Sequence, residues 1–147
     1  MSLFKFEKCK GYEDNDNVVI PTRATNGSVG YDFTCPVDIT IPPSQKVMIA
    51  THVKCKMDKS VWLGIFSRSS MAKLNIHHYL GCGVIDSDYY GNEANDGDIG
   101  VILENTSDFP VEVKAGDRIA QGIFFPTIIG EDEVDTKRVA GFGSTGV

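Results

Sequence analysis

The sequence lacks any apolar run near the about 20 residues that cross a bilayer. It also lacks a basic excess: 14 Lys and Arg stand against 20 Asp and Glu, a formal net charge of −6. Binding of a nucleic-acid backbone by bulk attraction needs a basic stripe, so that class is excluded. The first residues, Met1-Ser2-Leu3-Phe4-Lys5-Phe6, hold no signal-peptide core. The expectation is a soluble, cytoplasmic protein with no nucleic-acid or membrane partner. Cysteine is sparse and scattered. Cys9, Cys35, Cys55 and Cys82 form no C-x-x-C, and His52, His77 and His78 do not complete a zinc spacing. Buried free thiols are expected in place of disulfides or a zinc ribbon. No G-x-x-x-x-G-K-[ST] is present, so this is not a P-loop enzyme. The zinc deaminase pattern, H-x-E with P-C-x-x-C, is absent too.

Long helices also lack room. Fifteen Gly and 6 Pro punctuate the 147 residues, and the longest stretch free of both covers residues 44–63. Within it Val53, Cys55 and Met57 alternate with Lys54, Lys56 and Asp58, the period of a half-buried strand. Short apolar runs at residues 18–20, 47–50, 61–66, 99–103 and 119–125 are separated by turn clusters such as Asp14-Asn15-Asp16-Asn17 and Ala115-Gly116-Asp117. Many short strands between turns predict an all-β sandwich or barrel. One short helix is expected behind Ser69-Ser70, where Ala72, Ile76, Tyr79 and Leu80 fall at helical spacing. Residues 1–130 read as the β domain. Residues 131–147, acidic then glycine-rich, read as a mobile arm of that domain.

Several segments carry candidate chemistry. Gly141-Phe142-Gly143-Ser144-Thr145-Gly146 matches G-x-G-x-x-G as a string, yet no helix can follow it before Val147. Its glycines and hydroxyls suit an anion, and Phe142 suits stacking on a base. Ser67-Arg68-Ser69-Ser70 reads as a phosphate-binding cluster or as an ordinary helix cap with an exposed arginine. Asp86 follows the apolar pair Val84-Ile85, so it is expected partly buried and able to act as a general base. Asp86-x-Asp88 with Gly91 begins like a calcium loop, but the twelfth position is Gly97, not glutamate. Asp88, Asp96 and Asp98 read as a solvated turn. Asp32, inside the apolar strand Gly30-Tyr31-Asp32-Phe33, needs either a buried partner or a metal-bound water. Asp117 and Arg118 read as structural, and Gln121 fits either face of its strand.

Taken together, five segments in order resemble a family. They are residues 24–33 (Ala24 to Phe33), Ser67-Arg68-Ser69-Ser70, Gly83-Val84-Ile85-Asp86-x-x-Tyr89, Gly116-Asp117-Arg118-x-x-Gln121 and Gly141-Phe142-Gly143-Ser144-Thr145-Gly146. Their order and spacing look like the five motifs of the homotrimeric dUTPases. The resemblance implies a jelly-roll-like barrel assembled as a homotrimer with shared active sites. It implies hydrolysis of dUTP to dUMP and pyrophosphate with Mg²⁺, which keeps uracil out of DNA and supplies dUMP for thymidylate synthesis. It further implies Asp86 as the base that activates water against the α-phosphorus, and Asp32 as the acid that holds the magnesium through water. Arg68, Ser69, Ser70 and Gln121 are implied as phosphate contacts. Tyr89 is implied beside the deoxyribose, and main chain around Leu80, Gly83 and Val84 at the uracil. Phe142 with Gly143 is implied over the base, and Ser144 and Thr145 on the terminal phosphates.

The chain departs from that pattern in three places. Lys137, followed by Arg138, stands where the family has arginine, so either cation is a candidate for the γ-phosphate. The third motif runs on through Asn92-Glu93-Ala94-Asn95-Asp96-Gly97-Asp98, a lengthened hairpin loop. Leu80 replaces an asparagine common near the uracil. The rival readings are a dCTP deaminase of the same fold and a nucleotide-dependent protein-binding regulator, for which the acidic loop is the candidate surface.

Overall fold

The computed structural model describes residues 2–131 and 134–139 of the chain. Among them are twelve strands: β1 (Phe4–Lys8), β2 (Thr22–Arg23), β3 (Tyr31–Thr34), β4 (Ile39–Ile41), β5 (Lys46–Ala50), β6 (Val53–Met57), β7 (Val61–Phe66), β8 (Ile76–His78), β9 (Cys82–Ile85), β10 (Gly100–Asn105), β11 (Val111–Val113) and β12 (Arg118–Pro126). They form a five-stranded sheet in the order β2-β3-β12-β7-β9, a sheet β5-β10-β8, and the pairs β1-β6 and β4-β11. Every pairing is antiparallel.

Alternation decides which face each strand buries. Val53, Cys55 and Met57 of β6 point inward while Lys54 and Lys56 point away. Val101 and Leu103 do the same on β10, and Gly83 and Ile85 on β9. Phe33, Leu63, Ile65 and Ile119 of the large sheet meet Ile49, Val101 and Leu103 in one core. Phe4 stacks on Phe124 at 3.8 Å between centroids, and Phe6 meets Phe33 edge-on, so β1 seals one side of the barrel with aromatic rings. All four cysteines are free. Burial pushes the thiols of Cys9 and Cys55 up to about 12, so they stay protonated and inert at neutral pH.

Two local expectations are corrected. Residues 18–20 are not a strand: Val18 is buried, but Val19 and Ile20 are exposed, and the segment is held by reverse turns such as Val18 N–H to the Asn15 carbonyl. The predicted helix is a 3-10 helix confined to Ser69–Leu74. Asn75 ends it in the left-handed region at φ 56°, and Ile76 starts β8. Ile76 and His78 are therefore buried by strand alternation, and Tyr79 and Leu80 lie in the turn that follows. A second 3-10 turn, Ser87–Tyr89, was not foreseen.

Candidate active site

A pocket of about 220 Å³ opens where β9 forms the edge of the large sheet. Gly83, Val84 and Ile85 of β9 line it, together with buried Ile65, His78 and Tyr89, with Gly100 and Ile102, and with Leu80, Asp86 and Arg138. An edge strand leaves main-chain N–H and C=O groups without a strand partner, so this wall is polar along its backbone and apolar in its side chains. His78 was missed by sequence reasoning. It is 2% exposed, its main-chain N–H donates to Ser67 Oγ at 2.7 Å, and its Nδ1 accepts from the Leu80 N–H at 3.3 Å. Burial lowers its pKa below the usual imidazole value, and His77 adds to the shift. The ring is thus a neutral wall of the pocket with its proton on Nε2. The one signal in the sequence was a histidine at an inward position of a short strand.

Asp86 ends β9 and starts the second 3-10 turn, whose Tyr89 N–H donates to the Asp86 carbonyl. Its side chain is 51% exposed at the pocket mouth. The expected partial burial is therefore corrected, because the strand ends before Asp86 and the turn lifts it clear of the core. Arg138 bridges two acids there, with Nη2 on Asp86 Oδ2 at 2.5 Å and Nε on Asp88 Oδ1 at 2.7 Å. Tyr89 lies one turn further on, 4% exposed. Its hydroxyl donates to the Asp98 carbonyl at 2.6 Å and accepts from Asn95 Nδ2 at 2.7 Å. Asp88 stays exposed in its turn, as the solvated-turn reading expects, but that reading is corrected for Asp96 and Asp98. Asp96 Oδ2 takes Lys54 Nζ and the Lys10 N–H, and Asp98 holds His52 through both ring and backbone.

The other anion-shaped cluster sits elsewhere. Arg68 Nε donates to Asp32 Oδ1 at 2.8 Å, Arg118 Nη1 reaches Asp32 Oδ2 at 3.5 Å, and Arg68 Nη1 donates to Ser70 Oγ at 3.1 Å. Asp32 thus has its cationic partners, and Arg118 pairs with a neighbour, as its structural reading allows. Gln121, opposite Asp32 across β3 and β12, donates from Nε2 to the Ser67 carbonyl at 3.0 Å. A methyl at Gly30 would strike the Gln121 side chain, so glycine there lets the amide lie against the loop. Ser69 is exposed beside this cluster. Arg68, Ser70 and Arg118 line a cleft of about 310 Å³ that shares no residue with the Asp86 pocket. One chain therefore brings Leu80, Gly83, Val84, Asp86, Tyr89 and Arg138 to one place, and Asp32, Arg68, Ser70 and Gln121 to another. Lys137 is exposed next to Arg138. Phe142, Gly143, Ser144 and Thr145 lie outside the described residues.

Barrel and clefts together are those of a small β-barrel protein, and similarity to known proteins gives its class, a nucleotide hydrolase. The dUTPase family model matches residues 16–146. The mitochondrial deoxyuridine 5'-triphosphate nucleotidohydrolase of Dictyostelium discoideum is 38% identical over 148 residues, 97% of this chain and 79% of that one. The deoxyuridine 5'-triphosphate nucleotidohydrolase of Lactococcus lactis is 33% identical over 150 residues, 99% of each chain. The crystal structure of dUTPase from Streptococcus mutans matches with a TM-score of 0.80 at 34% identity, covering 86% of this chain and 98% of that one. The chain belongs to the dUTPase family, and its fold is that family's jelly roll. The matches do not favour the deaminase reading.

Proposed function

We propose that the chain hydrolyses dUTP to dUMP and pyrophosphate through attack of water on the α-phosphorus. The observation that carries this is the Asp86 carboxylate, exposed at the mouth of a pocket walled by the backbone edge of β9. Uracil fits that wall, because main-chain donors and acceptors of β9 read its amide-like edge while Val84 and Ile65 cover its faces. Tyr89 backs the sugar and leaves no space for a 2′-hydroxyl. Asp86 takes the proton of the attacking water as general base, from a turn that leaves its carboxylate within reach of that water. Arg68, Ser69, Ser70 and Gln121 contact the phosphates, with Lys137 or Arg138 at the γ-phosphate. Phe142, Gly143, Ser144 and Thr145 close over base and terminal phosphates, as the last 17 residues act as an arm.

Asp32 serves magnesium through water. The donor set fits such an ion. No cluster of three His, Cys, Asp or Glu side chains occurs among the described residues, and magnesium at phosphoryl sites keeps several waters and takes other ligands from phosphate. Each Asp32 oxygen accepts from one arginine and keeps a lone pair for a water. Bound there, the ion would neutralise triphosphate charge.

The separation of the two clefts supports a homotrimer in which different subunits complete one site. A cytoplasmic setting suits four unpaired thiols, and no helix among the described residues is long and apolar enough to cross a membrane. The role is removal of dUTP before uracil enters DNA, with dUMP left for thymidylate synthesis. The test is release of pyrophosphate and ammonia from dUTP and dCTP, with and without Mg²⁺. Magnesium-dependent pyrophosphate from dUTP, without ammonia from either, is the expected result. Ammonia from dCTP would replace the proposal with the deaminase.

A further inference from the structure

We propose that Asn95, in the lengthened loop after the third motif, is a positioning residue for sugar selection, acting through the hydroxyl of Tyr89. The inference rests on the reading that Tyr89 stands beside the deoxyribose.

The loop at residues 92–98 carries two aspartates and a glutamate, and its sequence looks like an exposed acidic surface. Its structure is the reverse. Asp96 turns back onto Lys54 Nζ at 2.7 Å and the Lys10 N–H at 2.8 Å. Asp98 accepts the His52 N–H at 2.8 Å through one oxygen and meets His52 Nδ1 at 2.8 Å through the other. Tyr12 stacks on that imidazole at 3.6 Å between ring centroids, nearly parallel. These contacts join the loop to β6 and to the chain after β1, and they leave few of its acids for an outside partner.

What the loop delivers inward is a pair of groups on one atom. The Tyr89 hydroxyl donates to the Asp98 carbonyl at 2.6 Å and accepts from Asn95 Nδ2 at 2.7 Å. Asn95 is itself aimed by its other end, since Oδ1 accepts the Gly97 N–H at 3.1 Å. The His52 grip on Asp98 fixes the residue whose carbonyl takes the Tyr89 proton. A tyrosine ring held at its hydroxyl by a donor and an acceptor does not swing about its side-chain bonds. Rejection of a group as small as a hydroxyl depends on that immobility: a ring that retreats by a fraction of an ångström admits the 2′-oxygen.

The experiment measures kcat/KM for dUTP and UTP in the wild type, Asn95→Ala, Tyr89→Phe, the double variant and Tyr89→Ala. Asn95→Ala and Tyr89→Phe are each expected to lower the dUTP:UTP ratio by about fivefold, the effect of one hydrogen bond. The loss should come mainly from faster UTP turnover. The double variant should fall no further than Tyr89→Phe, because Asn95 has no hydroxyl left to hold. Tyr89→Ala should fall furthest. An unchanged ratio in Asn95→Ala and Tyr89→Phe, with Tyr89→Ala relaxed, overturns the inference and leaves the sugar assignment standing. Additive losses in the double variant also overturn it, since Asn95 would then act through the loop's shape. An unchanged ratio in Tyr89→Ala removes the sugar assignment and the inference together. If Asn95→Ala fails to fold, Asn95→Ser, whose hydroxyl can still accept the Gly97 N–H but is too short to hold Tyr89, takes its place, and an unchanged ratio in it overturns the inference.

Discussion

Asp86 is the residue on which turnover should depend most. Asn keeps its shape and its turn but takes no proton from water. Asp86→Asn is expected to lower kcat by about 10²–10⁴-fold, with binding of a non-hydrolysable dUTP analogue nearly intact by calorimetry. Retention of more than about a tenth of wild-type turnover would put the base elsewhere. His78 gives a second residue-scale prediction. Its folded pKa lies below its unfolded value of 6.5, because burial penalises the imidazolium. The unfolded chain therefore binds the proton more readily. The stability contribution of the neutral ring is present above 6.5 and is lost as pH falls through the folded pKa. The thermal midpoint should drop on acidification below about 6.5, and His78→Asn, whose Oδ1 takes the place of Nδ1, should flatten that slope. An identical slope in the variant would assign the acid sensitivity to other groups.

At the scale of the element, the connection from β9 to β10 is tightly constrained at Gly97; it joins two strands of different sheets and is not the hairpin loop that the sequence suggested. Gly97 has φ of +80°, and an added Cβ would stand 2.7 Å from the Tyr89 carbonyl oxygen. Gly11 has a similar φ of +91° with nothing within 4 Å. Gly97→Ala should cost about 1–3 kcal/mol from conformation alone and more from the clash, while Gly11→Ala meets only the first penalty. Denaturant titration of the pair checks this; equal losses would mean that the loop yields without resistance. The elements also show what a sequence makes legible. Alternation in Val53-Lys54-Cys55-Lys56-Met57 is local, and β6 followed from it; β5, β7, β10 and β12 followed from short apolar runs between turns. β1 was missed because only Phe6 of its five residues is buried. The helix was overextended because Ile76 satisfies both periods, and the deciding residue is Asn75 in the left-handed region. The acids at 96 and 98 read as solvated because their partners lie 42 to 86 residues away in the chain. The third motif and the Arg68 cluster were visible as strings, but the distance between their clefts was not.

For the whole molecule, the prediction concerns the arm. The buried hydrophobic core of the described residues runs from Phe6 to Ala120. A chain stopped after Ala140 should therefore keep its fold and its oligomeric state, and lose most activity because the triphosphate is no longer closed off from water. Arg138 meets Asp86 of its own chain, so the destination of the residues beyond it is a sharp question. Full-length Asp86→Asn protein, refolded together with the truncated chain, supplies the answer. Recovered activity absent from either parent places base and arm on different subunits. No recovery, with mixed trimers confirmed by native mass spectrometry, places them on one.

The division of one chain into two clefts that share no lining residue has a consequence in the language of mass action. A site completed between subunits makes catalysis a property of association. Rate then stops being proportional to protein concentration once dilution reaches the dissociation range, and specific activity falls as the sample thins. Substrate that bridged two subunits, as the proposed shared site requires, would oppose that fall. Saturating dUTP would hold the assembly together at concentrations where the ligand-free protein comes apart.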